Sequence, residues 1–193
     1  MHESDLELTR QVAQGNKKAS EEMVGRLFEL VRSACRYSAG NSNDWEDMAQ
    51  IAMMEILKSA GSYKGESPLE KWAGTITMRT IWRKIRKKQR YISILQVVFR
   101  SHDEDPVSQS LEVDVDGQTL RSRMSVLLGK ISPEQRMALV MKFGFGYSVR
   151  EISETLLTSE NTIKDRLKRG KEKLKRLALN DKVLKEFVEK IEK

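Results

Sequence analysis

Residues 148–177, SVREISETLLTSENTIKDRLKRGKEKLKRL, constrain the fold of this chain more than any other stretch. Ser148 is placed to cap a short helix, with Glu151 three residues on answering its backbone N–H. Ser159 is placed to cap a second helix, with Thr162 where its first turn begins. Val149, Ile152 and Leu156 fall on one face of the first helix, and Ile163, Leu167, Gly170 and Leu174 on one face of the second. Neither stripe can be buried alone, so the two helices must cross at Leu157-Thr158. This is the helix-turn-helix pattern, whose second helix fits the major groove of duplex DNA. Its exposed face is read as carrying Lys164, Arg166, Lys168, Arg169, Lys171, Lys173, Lys175 and Arg176, a set that suits a polyanion.

A second basic segment lies upstream. RTIWRKIRKKQR (79–90) holds seven basic side chains and no acid. Ile81, Trp82 and Ile85 keep one apolar side, and Arg79, Arg83, Lys84, Arg86, Lys87, Lys88 and Arg90 wrap the remainder. Like charges four apart on a helix cost a few tenths of a kcal/mol each. A solvated helix avoids that cost by mixing signs, so an unmixed run asks for an anion, and phosphate backbone answers it. The charge of the whole chain follows the same division. Residues 1–95 carry 16 basic and 12 acidic side chains, residues 96–122 carry 2 and 6, and residues 123–193 carry 17 and 10. Two basic blocks around an acidic middle predict two binding domains and a tether.

Other chemistry has little to work with. The single cysteine, Cys35, excludes an internal disulfide and sits at helical spacing with Leu27, Val31 and Ala34, as a buried residue would. The two histidines, His2 and His102, lack spaced partners for a metal, and no Gly-rich loop follows a strand. No metal, cofactor or catalytic group is expected, and the chain is read as a non-enzyme. No apolar run approaches the ~18 residues of a membrane span, and MHESDLELTR is unlike a signal peptide. A cytoplasmic protein without membrane insertion is the expectation.

Read in order, the chain predicts an all-α fold of two small helical domains. Ser4 and Glu7 form a candidate capping box for a helix ending near Gly15. A helix from about Ala19 to Tyr37 carries the stripe Met23, Leu27, Leu30/Val31 and Ala34, with Val24, Phe28 and Cys35 alongside. Gly40-Asn41-Ser42-Asn43 breaks it. Asp44 opens a helix through about Ala60, with Glu46 and Asp47 in the first turn, where acids complement the helix dipole. After the loop 61–67, Ser67-Pro68 starts a helix to about Arg90. Residues 96–122 read as an acidic flexible linker. A helix near 119–129 follows, then Ser132-Pro133-Glu134-Gln135 starts another that runs to Gly144. Beyond Leu179, Val183, Leu184, Phe187, Val188 and Ile191 make one more amphipathic helix, fit to cap the second domain or to bind a partner. The divisions are thus 1–95, 96–122, 123–179 and 180–193.

This order of features resembles a family. DWEDMAQIAMMEIL (44–57), SYKGESPLEKWAGTITMRTIWRKIRKK (62–88) and KISPEQRMALVMKFGFGYSVREISETL followed by SENTIKDRLKRGKEKLKRL are similar to three motifs of the bacterial sigma factors of RNA polymerase, in the small two-domain extracytoplasmic-function type. The resemblance covers about residues 5–92 and 123–178. Leu157 stands at a turn position where that family often has Gly, and Ile51 where it usually has an acid.

The resemblance implies roles. Glu46, Asp47 and Gln50 would bind core RNA polymerase. Tyr63, Lys64, Trp72, Arg79, Arg83, Lys84, Arg86 and Lys87 would bind the promoter −10 element, the loop holding a base extruded from the stack. Glu160, Asn161, Lys164, Asp165 and Lys168 would reach base edges of the −35 element, with Arg166, Arg169 and Lys171 on phosphates. An anti-sigma protein is an implied partner beside core polymerase and promoter DNA. Two other readings are a stand-alone helix-turn-helix regulator and a decoy that binds an anti-sigma protein. The acidic helix argues against the first and the run 79–90 against the second.

Overall fold

The structure, a computed structural model, describes residues 3–40, 44–98 and 120–181, with side chains placed for 3–40, 44–92 and 122–181. Among them there are helices and turns and no strand. Three long helices build the first unit: α2 (Lys17–Ala39), α3 (Trp45–Lys58) and α4 (Leu69–Val98), with α1 (Glu3–Ala13) laid against α2. The predicted stripe of α2 is the core, since Met23, Leu27, Val31, Ala34 and Cys35 are all fully buried. Met48, Ala52 and Ile56 of α3 meet them, as do Leu69, Ala73, Met78 and Ile81 of α4. Arg26 crosses this surface and bonds Asp5 of α1 at 2.6 Å and Glu70 of α4 at 2.9 Å. Its guanidinium is held above its ordinary range, chiefly by the Asp5 hydrogen bond.

The second unit is α5 (Leu120–Gly129), α6 (Pro133–Leu139) with a π-helical turn (Val140–Gly144), α7 (Val149–Leu156) and α8 (Glu160–Leu179). The predicted caps are all formed here. Ser132 accepts from the Gln135 N–H, Ser148 and Glu151 make a reciprocal capping box, and Ser159 accepts from the Thr162 N–H. α8 crosses α6 at Gly170, where a Cβ would stand 3.1 Å from Leu139 Cδ1 and 3.3 Å from Gln135 Cβ. Only glycine lets these backbones approach so closely.

Several expectations are corrected. Ser4 lies inside α1 rather than capping it, because the helix already begins at Glu3. α2 starts two residues early, since Asn16 accepts from the Ala19 N–H. Phe28 is exposed, as its position falls outside the buried arc through Leu27 and Val31. α4 continues to Val98, so residues 96–98 are helix rather than linker. The rest of that stretch, 99–119, and the helix expected over 182–193 lie outside the described residues.

The two units pack on each other, and most of their buried apolar side chains form one connected cluster, with Leu127 and Ala178 in a small second one. Arg136 sits at the junction, 7% exposed. Its guanidinium donates to the carbonyls of Ser38 at 2.8 Å, Leu128 at 3.1 Å and Ile131 at 3.4 Å. Ser38 belongs to the last turn of α2 and Leu128 to that of α5, where carbonyls lack helical partners and a cation complements the dipole. Burial pushes the Arg136 guanidinium down to about 10.

Replacing Arg136 by Met leaves those buried carbonyls without a donor. The expected loss is about 3 kcal/mol, at the 1–3 kcal/mol usual for each unsatisfied group with partial relaxation. Urea unfolding checks it. Leu157 ends α7 in the left-handed region (φ 52°) while 81% exposed. The conformation costs a side chain about 1 kcal/mol, and little burial offsets that. Leu157→Gly is therefore expected to raise stability by roughly 0.5–1 kcal/mol, read in the same unfolding experiment.

Candidate nucleic-acid interface

The basic run of α4 is exposed as a continuous strip. Arg79, Arg83, Arg86, Lys87, Lys88 and Arg90 face solvent, while Ile81, Trp82 and Ile85 are buried beneath. Lys84 is half-buried, three residues after Ile81 and so at the margin of the apolar side. Arg83 lies 3.8 Å from Glu55 and Lys88 lies 3.5 Å from Asp44, both exposed pairs that contribute little. Arg79, Arg83, Arg86, Lys87 and Arg90 line one wall of a cleft of about 590 Å³, with Glu154, Thr155 and Leu157 opposite. Five cations and two carboxylates in one concavity leave a strong excess of positive charge.

The loop before α4 differs from its expected use. Tyr63 is 6% exposed. Its hydroxyl donates to the Ser67 carbonyl at 2.6 Å, and its ring meets Trp72 edge-on at 5.4 Å. Tyr63 therefore closes the loop from within and offers no face for a base. Trp72 is half-buried, and Lys64 is exposed on the same loop. Gly65 has φ +69°, and a Cβ there would stand 3.0 Å from Leu6 Cδ1, so glycine is required for the loop to lie on α1.

On α3, Glu46, Asp47 and Gln50 all face solvent on one side. Ile51, 37% exposed, and Met54, 54% exposed, continue that side by helical spacing. Met54 escaped the sequence reading, although its position eight after Glu46 and four after Gln50 marks it. The face is acidic at its start and apolar beyond.

α7 is fastened to α4 at three points. Lys71 pairs with Glu151 at 2.6 Å. The Tyr147 hydroxyl lies 3.0 Å from Thr75 Oγ1 and donates to the Lys71 carbonyl at 3.2 Å, over Gly74, where a Cβ would meet it at 3.1 Å. The Trp82 indole N–H donates at 3.2 Å to the Leu156 carbonyl, an orphan acceptor at the end of α7. α8 then projects with Glu160, Asn161, Lys164, Asp165, Lys168, Arg169 and Lys171 exposed. Asp165 accepts from Arg169 at 2.9 Å.

Arg166 and Lys173 are corrections to the exposed face. Arg166 lies three residues after Ile163 and four before Gly170, on the arc that faces the core, and is half-buried with Nη1 lacking a hydrogen bond. Lys173 is half-buried by the same spacing, three after Gly170.

Cys35 is buried, and its thiol is pushed up to about 12, so it is no nucleophile. Among the described residues no cluster of histidine, cysteine and carboxylate side chains could hold a metal, and no helix is long and apolar enough to cross a membrane.

Both surfaces fall within matches to known families. The model described as Sigma-70 region 2 matches residues 23–91, and the one described as Sigma-70, region 4 matches residues 121–174. The chain is 26% identical over 175 residues to the ECF RNA polymerase sigma factor SigM of Mycobacterium tuberculosis, covering 90% of this chain and 84% of that protein. It is 26% identical over 137 residues to the ECF RNA polymerase sigma factor SigX of Bacillus subtilis, covering 69% of this chain and 70% of that one. Among solved structures, its fold is similar to the sigma factor RpoE in complex with the anti-sigma factor NepR from Bartonella quintana, with TM-score 0.58, 21% identity, 84% of this chain and 98% of that one. CnrH in complex with the cytosolic domain of CnrY gives TM-score 0.57 and 21% identity, over 92% of this chain and 98% of that one.

Glu151 provides a pH test of the α4–α7 contact. Lys71 foremost, then the Ser148 backbone N–H, holds its carboxyl down from 4.5 to about 2. A depressed carboxyl stabilises the fold above its unfolded value and loses that contribution as pH falls towards its folded value. The stability difference between the parent and Glu151→Gln is therefore expected to be constant above pH ~5 and to vanish between 4.5 and about 2. Paired urea titrations across that window measure it.

Proposed function

We propose, for a chain that belongs to the extracytoplasmic-function sigma factors of the sigma-70 family, that it binds core RNA polymerase, directs it to a −35/−10 promoter and helps to open the duplex beside the −10 element. The observation that carries this reading is the presence of three unlike surfaces in one chain. They are the acidic-to-apolar face of α3, the exposed cationic strip of α4 and the capped helix-turn-helix ending in α8. A stand-alone regulator needs only the last.

Each surface supports a step. Glu46, Asp47 and Gln50, continued by Ile51 and Met54, form the face for core polymerase. Arg79, Arg83, Arg86 and Lys87 grip phosphates beside the melted segment, where single-stranded DNA is held by charge and by stacking. Trp72 in the first turn of α4 and Lys64 of the loop are available to a displaced base, with Tyr63 supporting the loop from below. Glu160, Asn161, Lys164, Asp165 and Lys168 reach base edges in the major groove at the −35 element, and Arg169 and Lys171 reach phosphates. A strand laid along α4 competes with Glu55 for Arg83, an exposed pair at 3.8 Å. The chain breaks no covalent bond and needs no cofactor, and it works in the cytoplasm with the polymerase. The solved structures it resembles are a sigma factor with the anti-sigma factor NepR and CnrH with CnrY. They support regulation of this chain by an anti-sigma partner.

Two sets of variants separate the surfaces. Glu46→Gln with Asp47→Asn should weaken assembly with core polymerase at least tenfold, measured by fluorescence anisotropy, while stability to thermal unfolding falls only by the ~0.3–1 kcal/mol that each acid contributes against the helix dipole. Unchanged assembly would remove α3 from the account. Arg83→Ala and Arg86→Ala should each reduce the salt dependence of promoter binding by holoenzyme by about 0.7–0.9 in the slope of log K against log salt. Lys164→Ala should instead cost ~1–3 kcal/mol at the −35 element and relax its sequence preference.

A further inference from the structure

The cleft between α4 and α7 has the size of a ligand pocket. Its volume is about 590 Å³, within the ~300–1,000 Å³ usual for sites that take small molecules. α7 walls it on one side, where Glu154, Thr155 and Leu157 face the cations of α4. A sphere of that volume is roughly 10 Å across, less than the ~12 Å width of one groove of duplex DNA. A duplex therefore does not enter while the two units stay packed, whereas a compact anion does.

Uncompensated charge defines one half of what fits. Arg83 lies 3.8 Å from Glu55, and Glu154 is engaged by Arg150 at 2.9 Å. Arg79, Arg86 and Lys87 form no ion pair among the described residues. Arg79, Arg83, Arg86 and Arg90 follow one another at steps of three and four, so they share one side of α4. Such neighbours stand ~5–6 Å apart at Cβ, and linked phosphates can bridge them through the guanidinium forks.

The other half is apolar. Ile76 and the buried Trp82 line the cleft from α4, and Leu157 lines it from the α7 side. Leu157 is 81% exposed and held at φ 52°, a conformation that glycine adopts more easily. No packing within the chain accounts for a leucine there. Backbone strain of this kind gathers at ligand clamps. A flat ring laid on Leu157 and Ile76 takes that surface out of water.

We propose that the free chain binds a nucleoside polyphosphate in this cleft, its phosphates on Arg79, Arg86 and Lys87 and its base against Leu157. The walls come from both units, so the ligand binds only their packed arrangement and holds it. The site stands apart from any role at promoters, since it needs neither polymerase nor DNA.

Calorimetric titration of the full chain with ATP, GTP and inorganic tripolyphosphate, at about 0.15 M salt, tests it. Saturable one-to-one binding of a nucleoside triphosphate is expected. Arg79→Gln with Arg86→Gln should weaken it at least tenfold. Both side chains are exposed, and circular dichroism checks that the fold is kept. Lys175→Gln with Arg176→Gln removes the same charge from α8 and should change binding less than twofold. Leu157→Gly should weaken nucleotide binding at least threefold and leave tripolyphosphate binding unchanged. Equal losses from the two glutamine pairs would overturn the proposal, as the ligand would then be answering net charge alone. Tripolyphosphate held as tightly as the nucleotides, with Leu157→Gly silent on all three, would overturn it in favour of a bare anion site. No saturable nucleotide binding, with a short thymidine oligonucleotide still held through Arg79 and Arg86, would overturn it in favour of a groove for strands alone.

Discussion

Arg136 holds the junction on which the rest of the structure depends. A buried guanidinium is expensive to desolvate, and it persists here because three carbonyls at helix ends accept its protons. Charge-assisted bonds of about 1.5–3 kcal/mol each offset that cost. The same residue explains Gly40, which ends α2 at φ +64° and where a Cβ would collide with the Arg136 guanidinium. One side chain thus satisfies carbonyls at the end of α2, at the end of α5 and before α6, and so joins the two units.

The placement of α7 on α4 joins the two basic surfaces mechanically. α7 is held by Lys71, Tyr147 and Trp82, so the helix-turn-helix sits against the helix that carries the cationic strip. The direct contacts between α7 and α4 are an ion pair and hydrogen bonds, laid over the buried cluster the two units share. Leu157 stores strain at the turn beside it. Glu154 lines the cleft opposite the arginines but pairs with Arg150 of its own helix at 2.9 Å, so the cleft keeps its excess of positive charge.

The helices were legible because their caps and stripes agree. Ser132, Ser148 and Ser159 each precede an apolar period, and local signal and tertiary need coincide there. The cationic strip was legible because seven like charges leave no other reading. The misses have physical causes. Arg166 and Lys173 were counted by charge, whereas their spacing from Ile163 and Gly170 places them on the packed arc. The burial of Tyr63 was not legible, because a loop residue's hydrogen bond to its own loop leaves no periodic trace. The role of Arg136 was hidden, since a basic residue at a helix start announces neither burial nor carbonyl partners from distant segments. The packing of the two units was also hidden, because Trp82 and Leu156 meet across 74 residues of chain.

The central claim is that one chain recruits core polymerase to promoters. Transcription in vitro tests it most directly, with core polymerase, the full chain, fragmented genomic DNA of its source and mapping of RNA 5′ ends. The account predicts starts that share one pair of upstream motifs and disappear when the chain is left out. A set of starts that is the same with and without the chain would contradict it.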